Sequence, residues 1–266
     1  MTPISGATPS AADSGSGAET LTVPGHVTGY PEVAFGGYVA GLLAARTDAK
    51  EVRVDFRGTV PVGAPVHFTK TLDGGGRLGT ARGDLLVAAS PAELALDLPD
   101  MPSFEEAQAA TEDYLAYHRE NPPPLLRCFG CGPDTAAGVG LRIFPSTVPG
   151  RDLVAGAWVP DAGLADAEGL LPPEMVWAAL DCPSGWAGVR IGKMGSGALT
   201  AALTGTQLRP VVAGEPYVSY SWVIGSEGRK LTAGVALATA EGELCALGEA
   251  LWIKPRQAPK SAGSST

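Results

Sequence analysis

One acid lies inside an otherwise apolar run, Met175-Val176-Trp177-Ala178-Ala179-Leu180-Asp181-Cys182. Burying a carboxylate there costs free energy unless it has a partner or a task, so Asp181 is the first candidate for chemistry. A positioned carboxylate can take a proton from water as a general base or attack an electrophile itself. The second candidate is Gly36-Gly37, which opens an apolar stretch running to Leu43-Ala44. Unpaired N–H groups at a helix start, backed by the helix dipole, can hold negative charge that builds on an oxygen, and glycines let a reacting group approach. Each feature also has a structural reading. Gly36-Gly37 can let a helix pack closely, and Asp181 can cap a second helical segment beginning near Pro183.

These residues sit in two stretches that read as one unit written twice. The first runs from Phe35-Gly36-Gly37-Tyr38 through the apolar segment and strand-like sequence to Val62-Gly63-Ala64-Pro65-Val66. The second runs from Met175 through Asp181 and Gly185-Trp186-Ala187 to Ala213-Gly214-Glu215-Pro216-Tyr217. Helix, turn and strands recur in one order, which points to duplication, although any two meanders share Gly and Pro turns. The glycines survive in copy one and the carboxylate in copy two.

Strand-like sequence fills residues 52–98, broken by turns such as Asp73-Gly74-Gly75-Gly76, and predicts an antiparallel meander. Residues 103–120 predict a connecting helix that Asn121-Pro122-Pro123-Pro124 ends. Beyond it, residues 138–144, 152–159, 197–208, 216–225, 230–240 and 244–253 read as strands, and 173–188 as one helix. Strands around a single buried helix, twice over, give an α+β class with two fused antiparallel sheets, not alternating βαβ units. The expected organisation is a disordered tail (1–19), an N-terminal unit (20–100), a linker with a helix (101–127), a C-terminal unit (128–255) and a second disordered tail (256–266).

Composition bounds the function. With 45% hydrophobic and 18% charged residues, the 266-residue chain can bury a large core or two fused small ones. A net charge of −9 and no basic run argue against nucleic-acid or anionic-membrane partners. No long apolar run and no basic-then-apolar leader are present, so a cytoplasmic protein is expected. Four cysteines do not make a disulfide framework. Cys128-x-x-Cys131 has zinc-knuckle spacing, but a structural site needs four ligands, and only scattered candidates such as His118 remain. Neither a metal nor a cofactor is expected, and the Cys-Phe-Gly-Cys-Gly stretch is read as a turn leading into the second unit.

Several motifs of the second half carry a resemblance. Cys128-Phe129-Gly130-Cys131-Gly132-Pro133, Gly138-Val139-Gly140-Leu141-Arg142-Ile143, Ala179-Leu180-Asp181 with Gly185-Trp186-Ala187, Ala198-Leu199-Thr200, Leu208-Arg209-Pro210-Val211 and Gly214-Glu215-Pro216 resemble a hotdog-fold acyl-CoA thioesterase of the phenylacetyl-CoA thioesterase type. The first half resembles the same fold more weakly, through Phe35-Gly36-Gly37-Tyr38 and Val60-Pro61-Val62-Gly63-Ala64-Pro65. The resemblance implies a double hotdog, two pseudo-equivalent units on one chain. In the family, His-Gly-Gly opens the central helix and a carboxylate follows about two turns later. Here Phe35 takes the His position, Gly36 and Gly37 the glycines, and Ala44 stands where copy one should carry the acid. In copy two Asp181 matches the acid, while Pro172, Pro173 and Glu174 replace His-Gly-Gly. Pairing the helices implies one competent composite site and one degenerate site.

The implied activity is hydrolysis of an acyl-CoA or acyl-pantetheine thioester, with Asp181 as base or nucleophile and the amides of Gly36 and Gly37 as oxyanion donors. Phe35, Tyr38 and Trp177 are candidate walls for the acyl group, and Arg142 and Arg209, with Arg190 and Lys193, candidates for the CoA phosphates. The resemblance also implies a homo-oligomer, through the sheet edges and surfaces such folds expose. A second reading rests on His26, whose spacing from Phe35 is similar to that of the active-site His in double-hotdog dehydratases of polyketide synthases. Paired with Asp181, His26 would make a hydratase or dehydratase, although Tyr30 and Phe35 depart from that pattern. A third reading is a noncatalytic acyl-thioester binding protein.

Overall fold

The computed structural model describes residues 18–256. The N-terminal half comprises β1 (Glu19–Thr22), α1 (Gly36–Ala44), β2 (Val52–Phe56), β3 (Pro65–Lys70), β4 (Gly76–Gly79) and β5 (Leu85–Pro91). After α2 (Phe104–Glu120) come β6 (Ser146–Thr147), β7 (Leu153–Trp158), α3 (Pro173–Arg190), β8 (Leu199–Gln207), β9 (Tyr217–Glu227), β10 (Lys230–Thr239) and β11 (Leu244–Ile253). The tails expected at 1–19 and 256–266 lie almost wholly outside the described residues. Glu19 itself corrects the first boundary, because it opens β1 opposite Phe68 of β3.

The two meanders fuse edge to edge. An 11-stranded sheet runs in the order β1-β3-β4-β5-β2-β8-β11-β10-β9-β7-β6, with β2 and β8 as the seam. Val54 pairs with Leu203 across it, both fully buried. Alternation of buried and exposed residues in β3 and β4 puts Val66, Phe68 and Leu78 on the core face, as a half-buried sheet requires.

The sheet wraps a pair of helices that touch each other. Gly37 and Gly41 lie one turn apart on α1 and press directly on the α3 backbone. A Cβ at Gly37 would stand 2.8 Å from Ala178 Cα, and one at Gly41 2.5 Å from Glu174 Cα, so only glycine permits this crossing. The apolar character of α3 has the same cause, since residues 176–184 are buried on every side by α1 and the sheet. Pro183 lies within α3 and the helix continues through it, so Asp181 does not cap a second segment.

The connecting helix begins with a reciprocal cap, Ser103 Oγ accepting from the Glu106 N–H and Glu106 from the Ser103 N–H. Its buried face, Ala107, Ala110, Tyr114 and His118, follows helical spacing. One expected strand is absent. Residues 138–144 run as irregular chain, because Gly138 (φ 72°) and Arg142 (φ 58°) take left-handed conformations that no ladder accommodates. Leu141 and Ile143 instead donate to the carbonyls of Phe129 and Gly130, clasping the cysteine turn. No helix among the described residues is long and apolar enough to cross a membrane.

Candidate active site

Asp181 is 2% exposed and faces the start of α1 across the helix crossing. Its Oδ2 accepts the Gly37 N–H at 2.7 Å, and its Oδ1 accepts the Thr200 hydroxyl, on β8, at 2.7 Å. Phe35, the residue before α1, offers no side-chain cap. The acid of one half therefore caps the helix of the other. Burial pushes the Asp181 carboxyl up to about 6, against the downward pull of the Thr200 hydroxyl and the Gly37 amide. At neutral pH the group is mostly ionised.

The next amide is unspent. Among the described residues no acceptor pairs with the Gly36 N–H. A Cβ at Gly36 would lie 3.1 Å from Asp181 Oδ2 and 3.5 Å from Thr200 Oγ, so the glycine keeps the space beside the carboxylate open. Gly36, Asp181 and Thr200 share a cavity of about 660 Å³. Its walls are largely apolar and include Phe35, Phe56, Trp186, Met194 and Trp252. The Tyr30 hydroxyl donates to the Ala198 carbonyl at 3.0 Å and ties the two halves together at one side of the cavity. Arg57 also borders it, with an exposed guanidinium 3.9 Å from Asp55.

At the opposite end of the helix pair the corresponding positions hold other residue types. A cleft of about 210 Å³ brings Ala44 against Pro173, with Lys50, Trp177 and Gln207 around it. Ala44 supplies no acid, and Pro172 and Pro173 supply no amide.

The sequence-derived candidates divide on this geometry. Asp181, Gly36, Gly37 and Phe35 come together. Gly37 differs from the expectation in one respect, because its N–H is bound to Asp181 and is not open to a substrate oxygen. His26 is exposed in a turn, its ring 6.3 Å from that of Phe129, and it does not border the cavity or bond to Asp181. Tyr38 packs edge-on against Phe129 at 6.1 Å in the core, and Trp177 fills the seam over Gly205 and the degenerate cleft. Arg142 is turned inward by its left-handed backbone, bonds to the Thr135 carbonyl and lies over Phe144. Arg209 pairs with Glu243 at 3.4 Å, and neither arginine borders the cavity. Thr200 was legible as part of Ala198-Leu199-Thr200, but nothing in the chain fixed its partner.

Three cysteines complete the cavity wall. The sulfurs of Cys128, Cys131 and Cys182 lie within 4.8 Å of one another. The Cys131 and Cys182 thiols hold the Cys128 thiol well below its usual range by hydrogen bonding, aided by the amides of Cys131 and Gly130. Those two thiols are pushed up in turn. Sequence reasoning found the first two from their spacing and missed Cys182, which only the docking of α3 brings to them.

One continuous sheet wrapped around two crossing central helices is the double-hotdog architecture, and comparison with solved structures gives the same fold. A candidate thioesterase from Novosphingobium aromaticivorans matches with a TM-score of 0.61 at 15% identity, covering 94% of this chain and 100% of its own. The tesB protein of Mycobacterium avium subsp. paratuberculosis matches at 0.57 and 14% identity, covering 92% and 95%. An acyl-CoA thioesterase II of Mycobacterium marinum, TesB2, matches at 0.53 and 16%, covering 90% and 93%. No family model and no curated protein matches the sequence.

Proposed function

We propose that the protein hydrolyses acyl thioesters of CoA or pantetheine at the composite site between its halves. The observation that carries this reading is the buried Asp181 carboxylate bonded at 2.7 Å to the start of α1, inside a largely apolar cavity. Structures of the same fold that are named thioesterases support it.

The acyl group lies against the apolar wall and the thioester oxygen takes the free Gly36 N–H, where the dipole of α1 favours negative charge. Asp181 removes a proton from water as the water oxygen bonds to the carbonyl carbon. The C–S bond then breaks, and the proton passes to the departing thiolate. Gly37 and Thr200 hold the base in place; both bonds leave a lone pair of the carboxylate free for the water. Arg57 borders the cavity, which Arg142 and Arg209 do not, and is the cation placed to meet a CoA phosphate there.

The direct test is thiol release from short, branched, aromatic and long acyl-CoAs, with masses recorded for every product. Free thiol and the matching acid are expected from at least one class. Enoyl or hydroxyacyl substrates that change by the mass of water, with their thioesters intact, would establish the hydratase reading instead.

Two variants refine the assignment. Thr200→Val removes a hydrogen bond to a charged group worth about 1.5–3 kcal/mol, so kcat/KM should fall roughly tenfold to a hundredfold. Thr200→Ser should restore most of it, a rescue that a purely packing role for the threonine would not produce. His26→Ala should leave thiol release within about twofold of wild type, as surface changes remote from a site do. A loss comparable to that of an Asp181 variant would return His26 to the mechanism.

A further inference from the structure

We infer that Cys128, Cys131 and Cys182 form a three-thiolate binding site for a thiophilic divalent cation such as zinc, with its fourth position open to the cavity. The sulfurs come from two elements, the Cys128-Phe129-Gly130-Cys131-Gly132 turn and α3. Thiolates bound to zinc at about 2.3 Å in a tetrahedron stand about 3.8 Å apart. Cys128 and Cys182 are 3.6 Å apart, and all three sulfurs fall within 4.8 Å. A disulfide would use two sulfurs and leave the third without a purpose.

The surroundings are built for sulfur. A Cβ at Gly130 would stand 2.6 Å from Cys182 Sγ, so the turn is pressed against the third ligand. A Cβ at Gly132 would stand 2.4 Å from the Cys128 nitrogen, which keeps the turn tight enough to bring its two sulfurs to one side. The Trp186 indole N–H donates to Cys131 Sγ at 3.3 Å, the kind of outer contact that orients a metal-bound thiolate. All three residues border the large cavity, so a small ligand there can complete the coordination. Binding exchanges thiol protons for the cation, and its first consequence is mechanical. It joins the cysteine turn to the α3 residue next to Asp181.

The experiment is titration of the reduced, metal-free full chain with Co²⁺, followed by its thiolate charge-transfer absorption. One equivalent should bind with an intensity matching three thiolates, and Zn²⁺ should displace it. Cys182→Ser should weaken Co²⁺ binding by more than roughly a hundredfold, beyond the loss typical of outer contacts, while Cys245→Ser leaves it unchanged. The wild-type stoichiometry and intensity stand independently of whether the Cys182 variant folds. Absence of a charge-transfer band in the wild type, or an undiminished band in folded Cys182→Ser, would overturn the site. Neither result bears on thioester hydrolysis, which is read separately by thiol release.

Discussion

Asp181→Asn should lower kcat for thioester hydrolysis by about 100-fold to 10,000-fold while leaving the protein folded, the range a positioned general base contributes. The substitution is nearly isosteric. Its carbonyl oxygen can still accept the Gly37 N–H, and the Thr200 hydroxyl can reverse to accept from the new amide, so both 2.7 Å contacts have replacements. What disappears is the charge and the basic lone pair. Thermal unfolding should therefore move little, since the buried carboxylate also carries a desolvation cost that the amide does not. An unchanged rate would remove Asp181 from the chemistry and leave it as a helix cap alone.

The largest effect on stability should come from Gly41→Ala. In an unpacked helix this change stabilises, because alanine exceeds glycine in helix propensity by about 1 kcal/mol. Here the new methyl would stand 2.5 Å from Glu174 Cα, 2.9 Å from the Pro173 oxygen and 2.9 Å from Trp177 Cβ. Two of those atoms belong to the backbone, so no side-chain rotation relieves the contact and the helices must part. Overpacking of this kind costs about 1–3 kcal/mol and occasionally more, which outweighs the propensity gain. Denaturant unfolding should show a net loss of up to about 2 kcal/mol, and a gain would mean that the helices do not cross at this glycine. Gly36→Ala provides the contrast. Its methyl would meet side-chain oxygens at 3.1 and 3.5 Å, not backbone, so its effect should fall on activity before stability.

Much of this architecture was legible because local and global signals agree. Alternation in 52–56 and 65–70 produces strands, the Ser103 and Glu106 cap starts the connecting helix, and Asn121-Pro122 ends it. The candidate acid was legible for the opposite reason, because Asp181 conflicts with its apolar run and needed an explanation. The expected strand at 138–144 failed because its apolar residues serve a clasp around the cysteine turn, and the left-handed Arg142 has no signature in composition. Arg142 and Arg209 stand away from the cavity, one bonded to the Thr135 carbonyl and the other paired with Glu243, because charge type says nothing about direction. Thr200 and Cys182 were hidden because their partners are distant in sequence. Pairings of that kind depend on how the halves dock.

That docking also accounts for the asymmetry of the molecule. One end of the helix pair keeps an acid, a free amide and a large cavity, whereas the other keeps Ala44, Pro173 and a small cleft. On the proposed reading two unlike halves supply one site, the free Gly36 amide coming from the first and the Asp181 carboxylate from the second.

The most direct measurement is a single turnover in heavy-oxygen water, with enzyme in excess over an acyl-CoA that releases thiol, followed by masses of the acid and of the Asp181 peptide. If Asp181 activates water across the helix crossing, the first acid formed carries one heavy oxygen and the peptide carries none. An unlabelled first acid with label retained on Asp181 would contradict that account and make the carboxylate a nucleophile.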